Sequence, residues 1–179
     1  YLFDIEIERI AIILGCTVLP LVFIYPFMKR FTYWPQLFLG IVFNWGVLVV
    51  SIQFNNSLNI AFIILYIGCV FWTLAYDTIY AYQDREDDME NNIKSTAVLF
   101  QDKGKTLVKV FYTFFLISIG YVGFLSSHSI MSIIIIILLY IGILFLIDKW
   151  DIKSIASSNY YFKMNNLIGL TCYIYLLLF

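Results

Sequence analysis

Residues 59–88 read NIAFIILYIGCVFWTLAYDTIYAYQDREDD, and this stretch decides the fold. From Asn59 to Tyr82 the chain is almost uncharged, and at 1.5 Å per residue it is long enough to cross about 30 Å of hydrocarbon as a helix. Backbone groups in lipid must be satisfied within the segment, which selects helix; the run is too long and too uniformly apolar for a barrel strand. Its end delivers acids: Asp77 just inside the apolar boundary, then Asp84, Asp87 and Asp88.

The rest of the chain supports the same solvent. Of 179 residues, 62% are hydrophobic, 20% aromatic and only 13% charged, and the mean hydropathy is +0.88. A soluble domain averages about 45–50% apolar and about 25% charged, so lipid must cover much of this surface. No basic stretch exists to neutralise phosphates along a duplex, which argues against a nucleic-acid partner. Cys16, Cys69 and Cys172 are scattered through apolar segments without a CxxC pair and read as small packing residues. Acidic Asp4, Glu6 and Glu8 precede the first apolar run, unlike the basic start of a cleavable signal.

Six apolar segments can be placed: Ile10–Met28, Pro35–Ile52, Asn59–Tyr82, Leu107–Leu125, Ile130–Ile147 and Tyr160–Phe179. The expectation is an all-α, polytopic transmembrane bundle forming one domain over residues 1–179. Lys29, Arg30, Arg85, Lys94, Lys103, Lys105, Lys109, Lys149, Lys153 and Lys163 fall in or beside the loops after the first, third and fifth segments. The loops around Asn55 and His128 carry no Lys or Arg, and Arg9 stands among acids. Basic loops stay inside, so the acidic motif is expected on the cytoplasmic side. An alternating count of six spans accounts for every one of these positions.

The acids can be read two ways. A solvated turn is the plain reading, because short charge runs are common in loops. Against it, Asp77, Tyr80, Asp84 and Asp88 keep the register of one helical face, and a charge inside the apolar boundary is costly without a partner. Oxygen ligands at that position suit Mg²⁺, which is usually bound through one or two carboxylates together with phosphate. Arg85 and Lys94 follow closely and are suited to diphosphate oxygens. A metal–diphosphate site at the mouth of a membrane bundle is therefore expected. Other charged positions read as structural. Asp4 and Glu8 suit a solvated outer loop. Asp148 and Asp151, interleaved with Lys149 and Lys153, suit surface ion pairing. His128 has no partners for a triad or a metal set. A transport-type or non-catalytic membrane subunit with a cation-binding acidic mouth is the alternative, although no ionisable residue lies in the middle of any span.

The segment Tyr76-Asp77-Thr78-x-Tyr80-Ala81-x-x-Asp84-Arg85-x-Asp87-Asp88, followed by Ile93-Lys94-Ser95-Thr96-Ala97, closely resembles the second aspartate-rich motif of the UbiA superfamily of membrane prenyltransferases. Within it, the wording resembles the 4-hydroxybenzoate polyprenyltransferase branch. Tyr25-Pro26-Phe27-Met28-Lys29-Arg30 with Pro35-Gln36 and Leu39-Gly40, and Phe162-Lys163-Met164-Asn165-Asn166 with Gly169, are similar to two further blocks. The resemblance implies an enzyme of ubiquinone biosynthesis in the cell's inner membrane. Mg²⁺ would bridge two aspartate motifs to a polyprenyl diphosphate, and the prenyl group would pass to the ring of 4-hydroxybenzoate. It implies Asp84 and Asp88 as metal ligands, Asp87 as an extra ligand and Asp77 as support. Arg85 and Lys94 would be diphosphate contacts, Arg30 a contact to diphosphate or benzoate, and Tyr80 a neighbour of diphosphate or cation. The family carries nine helices and a first Asn-and-Asp cluster. Residues 1–75 contain no NxxxDxxxD, and the six segments fit the last six helices. The chain therefore resembles the C-terminal two-thirds of such an enzyme, with an N-terminal part missing, and alone it is expected to show little or no transfer.

Overall fold

The structure, a computed structural model, describes residues 2–179, with side chains described from Glu6 onward. The Asp4 side chain, half of the Asp4–Glu8 pair, lies outside the described residues. Among the described residues every regular element is helical. The first apolar segment is not one helix. Helix α1 (Leu2–Thr17) gives way to α2 (Leu19–Ile24), a 3₁₀ turn (Tyr25–Phe27) and α3 (Met28–Phe31). Pro20 and Pro26 each lie at the start of one of these pieces, where a missing N–H does no harm. The second segment also breaks, into α4 (Pro35–Phe43) and α5 (Gly46–Asn55). At the break the Asn44 amide donates to Gly40 O at 2.8 Å, Cys69 O at 3.2 Å and Thr73 Oγ1 at 2.8 Å. One polar side chain thus ties the kink to the next helix across the bundle.

That helix, α6 (Ile60–Ala81), matches the expected third segment to within a residue. Asn59 caps its start, accepting from Ala61 N at 2.8 Å. Beyond a turn come the short helices α7 (Arg85–Glu90) and α8 (Thr96–Phe100). They are followed by α9 (Gly104–Ser127), α10 (Ile130–Asp148) and α11 (Ile155–Leu178). Helix α6 is the centre, in contact with α4, α5, α8, α9 and α11. The main core joins α6, α9, α10 and α11, with Trp150 fully buried and its indole donating to Ser158 Oγ at 3.0 Å. Tyr112 on α9 donates to Asn165 on α11. Helix α1 stands apart, packing on α5 through Ile7, Ala11 and Ile52.

Five stretches are long and apolar enough to cross a membrane: Glu6–Phe31, Pro35–Asn55, Ile60–Ala81, Thr96–Ser127 and Ile130–Asp148. The sixth segment, expected over Tyr160–Phe179, forms α11 but begins at Ile155 and is absent from that set. Lys163, Asn165 and Asn166 dilute its first half. It is a 24-residue helix packed against α6, α9 and α10. The outer surface carries large apolar side chains, such as Phe54 at 79% and Leu178 at 69% exposure, as a lipid-facing surface requires. The chain is a multi-pass membrane protein. The expected ion pairing near Asp148 is formed with Lys109 across α9 and α10 rather than with its chain neighbours. Lys149 instead lies over the Phe145 ring.

Candidate functional site

Helix α6 does not run on through the acids. It ends at Ala81, and Gln83 N–H closes a turn on Tyr80 O at 2.8 Å. Asp84 then stands at the N-cap of α7 with φ −102° and ψ 5°, its side chain making no capping bond. The expectation that Asp77, Tyr80, Asp84 and Asp88 share one continuous helix is corrected here: the turn separates Asp77 and Tyr80 from Asp84 and Asp88. All four nevertheless line one cavity of about 80 Å³. The turn restores by folding what a straight helix would have supplied by register. Acids in the first turn of α7 suit the positive end of its dipole.

Two hydrogen bonds fix the floor. Gln36 on α4 is buried, and its Oε1 accepts from Thr96 N at 3.1 Å. The hydroxyls of Thr78 and Thr96 meet at 2.8 Å. Lys94 N donates to Lys29 O at 2.9 Å, which holds the first basic loop against the strand of chain leading into α8. Lys29, not Arg30, is the cation lining the carboxylate cavity. Residue counting in a KR dipeptide cannot say which member turns inward.

Asp88 is 6% exposed, and its Oδ2 is buried without a hydrogen-bond partner. Burial pushes its carboxyl above the ordinary value, while Ser95 and Lys29 pull it back. A raised carboxyl means that the fold holds the proton longer than the unfolded chain does. Stability tied to Asp88 is therefore present at low pH and falls as pH rises through the folded value. An added cation beside Oδ2 would offset that loss.

The other expected residues are distributed differently. Arg85 and Asp87 line a separate cavity of about 250 Å³ on the opposite side of α7. Lys94 lines a third cavity that Asp88 also borders. Its ammonium donates to Phe31 O at 3.3 Å and lies 5.6 Å from the Tyr33 ring centre. Arg30 is exposed and does not line the carboxylate cavity. Among the described residues no group of three or more His, Cys, Asp or Glu is arranged to hold a metal ion by itself.

Below the acids, the same ridge of α6 continues as Tyr80, Tyr76 and Trp72, each four residues apart. Phe162 on α11 packs on Tyr80 and Tyr76 at centroid distances of 5.0 and 6.1 Å, and Trp72 meets Tyr76 at 5.6 Å. Trp72, Tyr76 and Phe162 form one wall of a cavity of about 480 Å³ that Asn44, Lys163 and Asn166 also line. The Trp72 indole N–H is buried there without a partner. The sequence carries a signal for this wall in the Trp72-x₃-Tyr76-x₃-Tyr80 spacing, which places the three rings along one helical ridge.

The profile of the UbiA prenyltransferase family matches residues 5–167. A mitochondrial 4-hydroxybenzoate polyprenyltransferase of Arabidopsis thaliana is 44% identical over 126 residues, covering 70% of this chain and 30% of that protein. A 4-hydroxybenzoate octaprenyltransferase of Psychromonas ingrahamii is 37% identical over 164 residues, covering 90% of this chain and 56% of that protein. 4-Hydroxybenzoate geranyltransferase 2 of Lithospermum erythrorhizon is 45% identical over 120 residues, 66% of this chain and 37% of that protein. The chain thus spans from 30% to 56% of the length of these relatives. No solved structure matches.

Proposed function

Because the chain belongs to the UbiA prenyltransferase family, we propose that it forms the diphosphate end and part of the prenyl channel of a 4-hydroxybenzoate polyprenyltransferase of ubiquinone biosynthesis. The single observation that carries this is the meeting, on one ridge of α6, of an aromatic-walled cavity with carboxylates that include an orphaned buried oxygen.

The residues fit Mg²⁺ as part of a shared site. Hard carboxylate oxygens are the right donors, and Mg²⁺ is commonly held by one or two carboxylates with substrate phosphate and water completing its shell. The 80 Å³ beside Asp84 and Asp88 compares with about 30 Å³ per liquid water. It suits an ion with a few waters, not a whole diphosphate. Asp84 and Asp88 would hold the ion, with Asp77 in support. Bound there, the ion would neutralise charge on the departing diphosphate. Lys29 adds positive charge at the same wall. Tyr80, Tyr76, Phe162 and Trp72 offer π-faces to a cationic prenyl end and keep water from it. The remaining expected contacts, Arg85, Lys94, Arg30 and Asp87, lie outside this cavity.

The resemblance implies two aspartate clusters, and these 179 residues carry the second. Binding is therefore the first test of the chain itself. Mn²⁺ standing in for Mg²⁺, followed by electron paramagnetic resonance in detergent, is expected to bind weakly alone and far more tightly with a prenyl diphosphate. No release of prenylated 4-hydroxybenzoate at an appreciable rate is expected from this chain alone. Equal Mn²⁺ affinity with and without the diphosphate would sink the reading.

The basic loops also predict an orientation in the inner membrane. A single cysteine introduced at Lys103 is expected to react with a membrane-impermeant maleimide only after the cytoplasmic side is opened. One introduced at Ser127 is expected to react from outside. The reverse pattern would place the carboxylates on the wrong side for a soluble diphosphate head and a cytoplasmic aromatic acid.

A further inference from the structure

The cavity on the far side of α7 is not absorbed by prenyl transfer. It lies past the C-terminal end of α6, between α7 and the loop before α11. Its volume of about 250 Å³ is roughly eight water volumes. Four charged side chains line it: Arg85 and Lys153, Glu86 and Asp87. Opposite charges around one cavity often pair with each other. Among the described residues the one ion pair formed is Lys109 with Asp148, and none joins these four. The Gln83 amide, at the same wall, has its Nε2 buried without a partner. Buried donors in a native protein are nearly always satisfied, and an orphan calls for an explanation. Ile152 and Ile155 complete the lining, and Ile155 is 64% exposed.

We propose that this cavity binds the zwitterionic headgroup of an aminophospholipid, with Arg85, Lys153 and Gln83 on its phosphate and Glu86 and Asp87 on its ammonium. The charges decide the class. Two cations and two carboxylates sum to zero, so an anion alone would leave the carboxylates facing its charge, and a cation alone would leave the bases unmatched. A ligand carrying both signs a few bonds apart satisfies all four. Arginine offers a planar fork to phosphate oxygens. A primary ammonium donates hydrogen bonds to carboxylates, whereas the quaternary ammonium of a choline headgroup cannot. The exposed Ile155 gives the glycerol and first acyl carbons an apolar edge. The proposal uses neither the metal nor the diphosphate and stands whether or not the chain takes part in prenyl transfer.

The test is native mass spectrometry of the full chain released from nanodiscs holding equal amounts of phosphatidylethanolamine, phosphatidylcholine and phosphatidylglycerol. One retained phosphatidylethanolamine is expected, favoured about tenfold over either competitor, the scale of one lost charge-assisted bond. Arg85→Gln with Lys153→Gln is expected to remove the retained lipid. Glu86→Gln with Asp87→Asn is expected to move the preference to phosphatidylglycerol. Equal retention of the three lipids by the unaltered chain would overturn the proposal without recourse to any variant. Unchanged retention in the Arg85→Gln, Lys153→Gln chain would do the same.

Discussion

Asp88→Asn is expected to lower the affinity for Mn²⁺ in the presence of a prenyl diphosphate by on the order of 100-fold, since even the outer-shell partners of metal ligands cost 10–100-fold when removed. The substitution keeps the shape of the side chain and removes its charge. It also relieves a burden in the free protein, because an amide at this 6%-exposed position no longer has to hold a buried negative charge. Apparent thermal stability without metal is therefore expected to hold or rise at neutral pH, while stabilisation by added Mn²⁺ disappears. The two readouts move in opposite directions, which separates a lost ligand from a damaged fold. Asp84→Asn should behave alike in binding, with less change in metal-free stability, because Asp84 is more exposed. Asp77→Asn should cost less, about tenfold, as a supporting group. If Asp88→Asn left metal-linked diphosphate binding intact, the orphaned oxygen would have no role in the site.

The all-helical membrane architecture was legible because it depends on quantities that a sequence states directly: the length of apolar runs and the placement of Lys and Arg. The ends of α6 and α10 were readable for the same reason, with Asn59 and Ser129 marking their starts as caps. Breaks were harder. The α4–α5 kink has no proline; it is held by Asn44 reaching Cys69 and Thr73, and a bond to a distant helix leaves no local trace. The polar first half of α11 blurred its start, since Ser158 and Asn165 are polar but buried against Trp150 and Tyr112. In the candidate site, the carboxylates were found by spacing, although the spacing argument assumed a helix that in fact turns at 82–84. The grouping of Asp77, Tyr80, Asp84 and Asp88 survived because the turn and the N-cap position of Asp84 bring the second pair back to the same wall. Which cation joins them was not legible. Lys29 and Arg30 are adjacent, and which of them turns inward depends on how α3 packs against the chain around Lys94, a contact between distant segments that sequence does not announce.

The second large effect is expected at Gly68, where α6 and α9 approach closely. A Cβ at this position would sit 2.5 Å from Ser118 Cβ and 2.8 Å from its Oγ, with Phe115 O at 3.5 Å. Neighbouring rings depend on that approach. Trp72 stacks on Phe115 at 5.3 Å with planes 12° apart, and Phe71 on Phe114 at 4.8 Å. Helix association in lipid lacks a hydrophobic drive and relies on such close packing at small residues. Gly68→Leu is therefore expected to cost about 3 kcal/mol or more, the upper end for overpacking a tight core. It should be read as a lowered midpoint of unfolding in mixed detergent. It should also weaken diphosphate-linked Mn²⁺ binding, because Trp72 lies one turn further along the displaced helix. Gly68→Ala tests the geometry more finely. Its added methyl meets only Ser118 at less than 3 Å, so Ser118→Gly in the same chain removes the obstacle and should recover most of the loss. A double-mutant cycle gives that coupling directly. If Gly68→Leu matched the parent in stability, or if Ser118→Gly failed to rescue Gly68→Ala, the α6–α9 contact would not be the support on which the aromatic wall and the carboxylates above it rest.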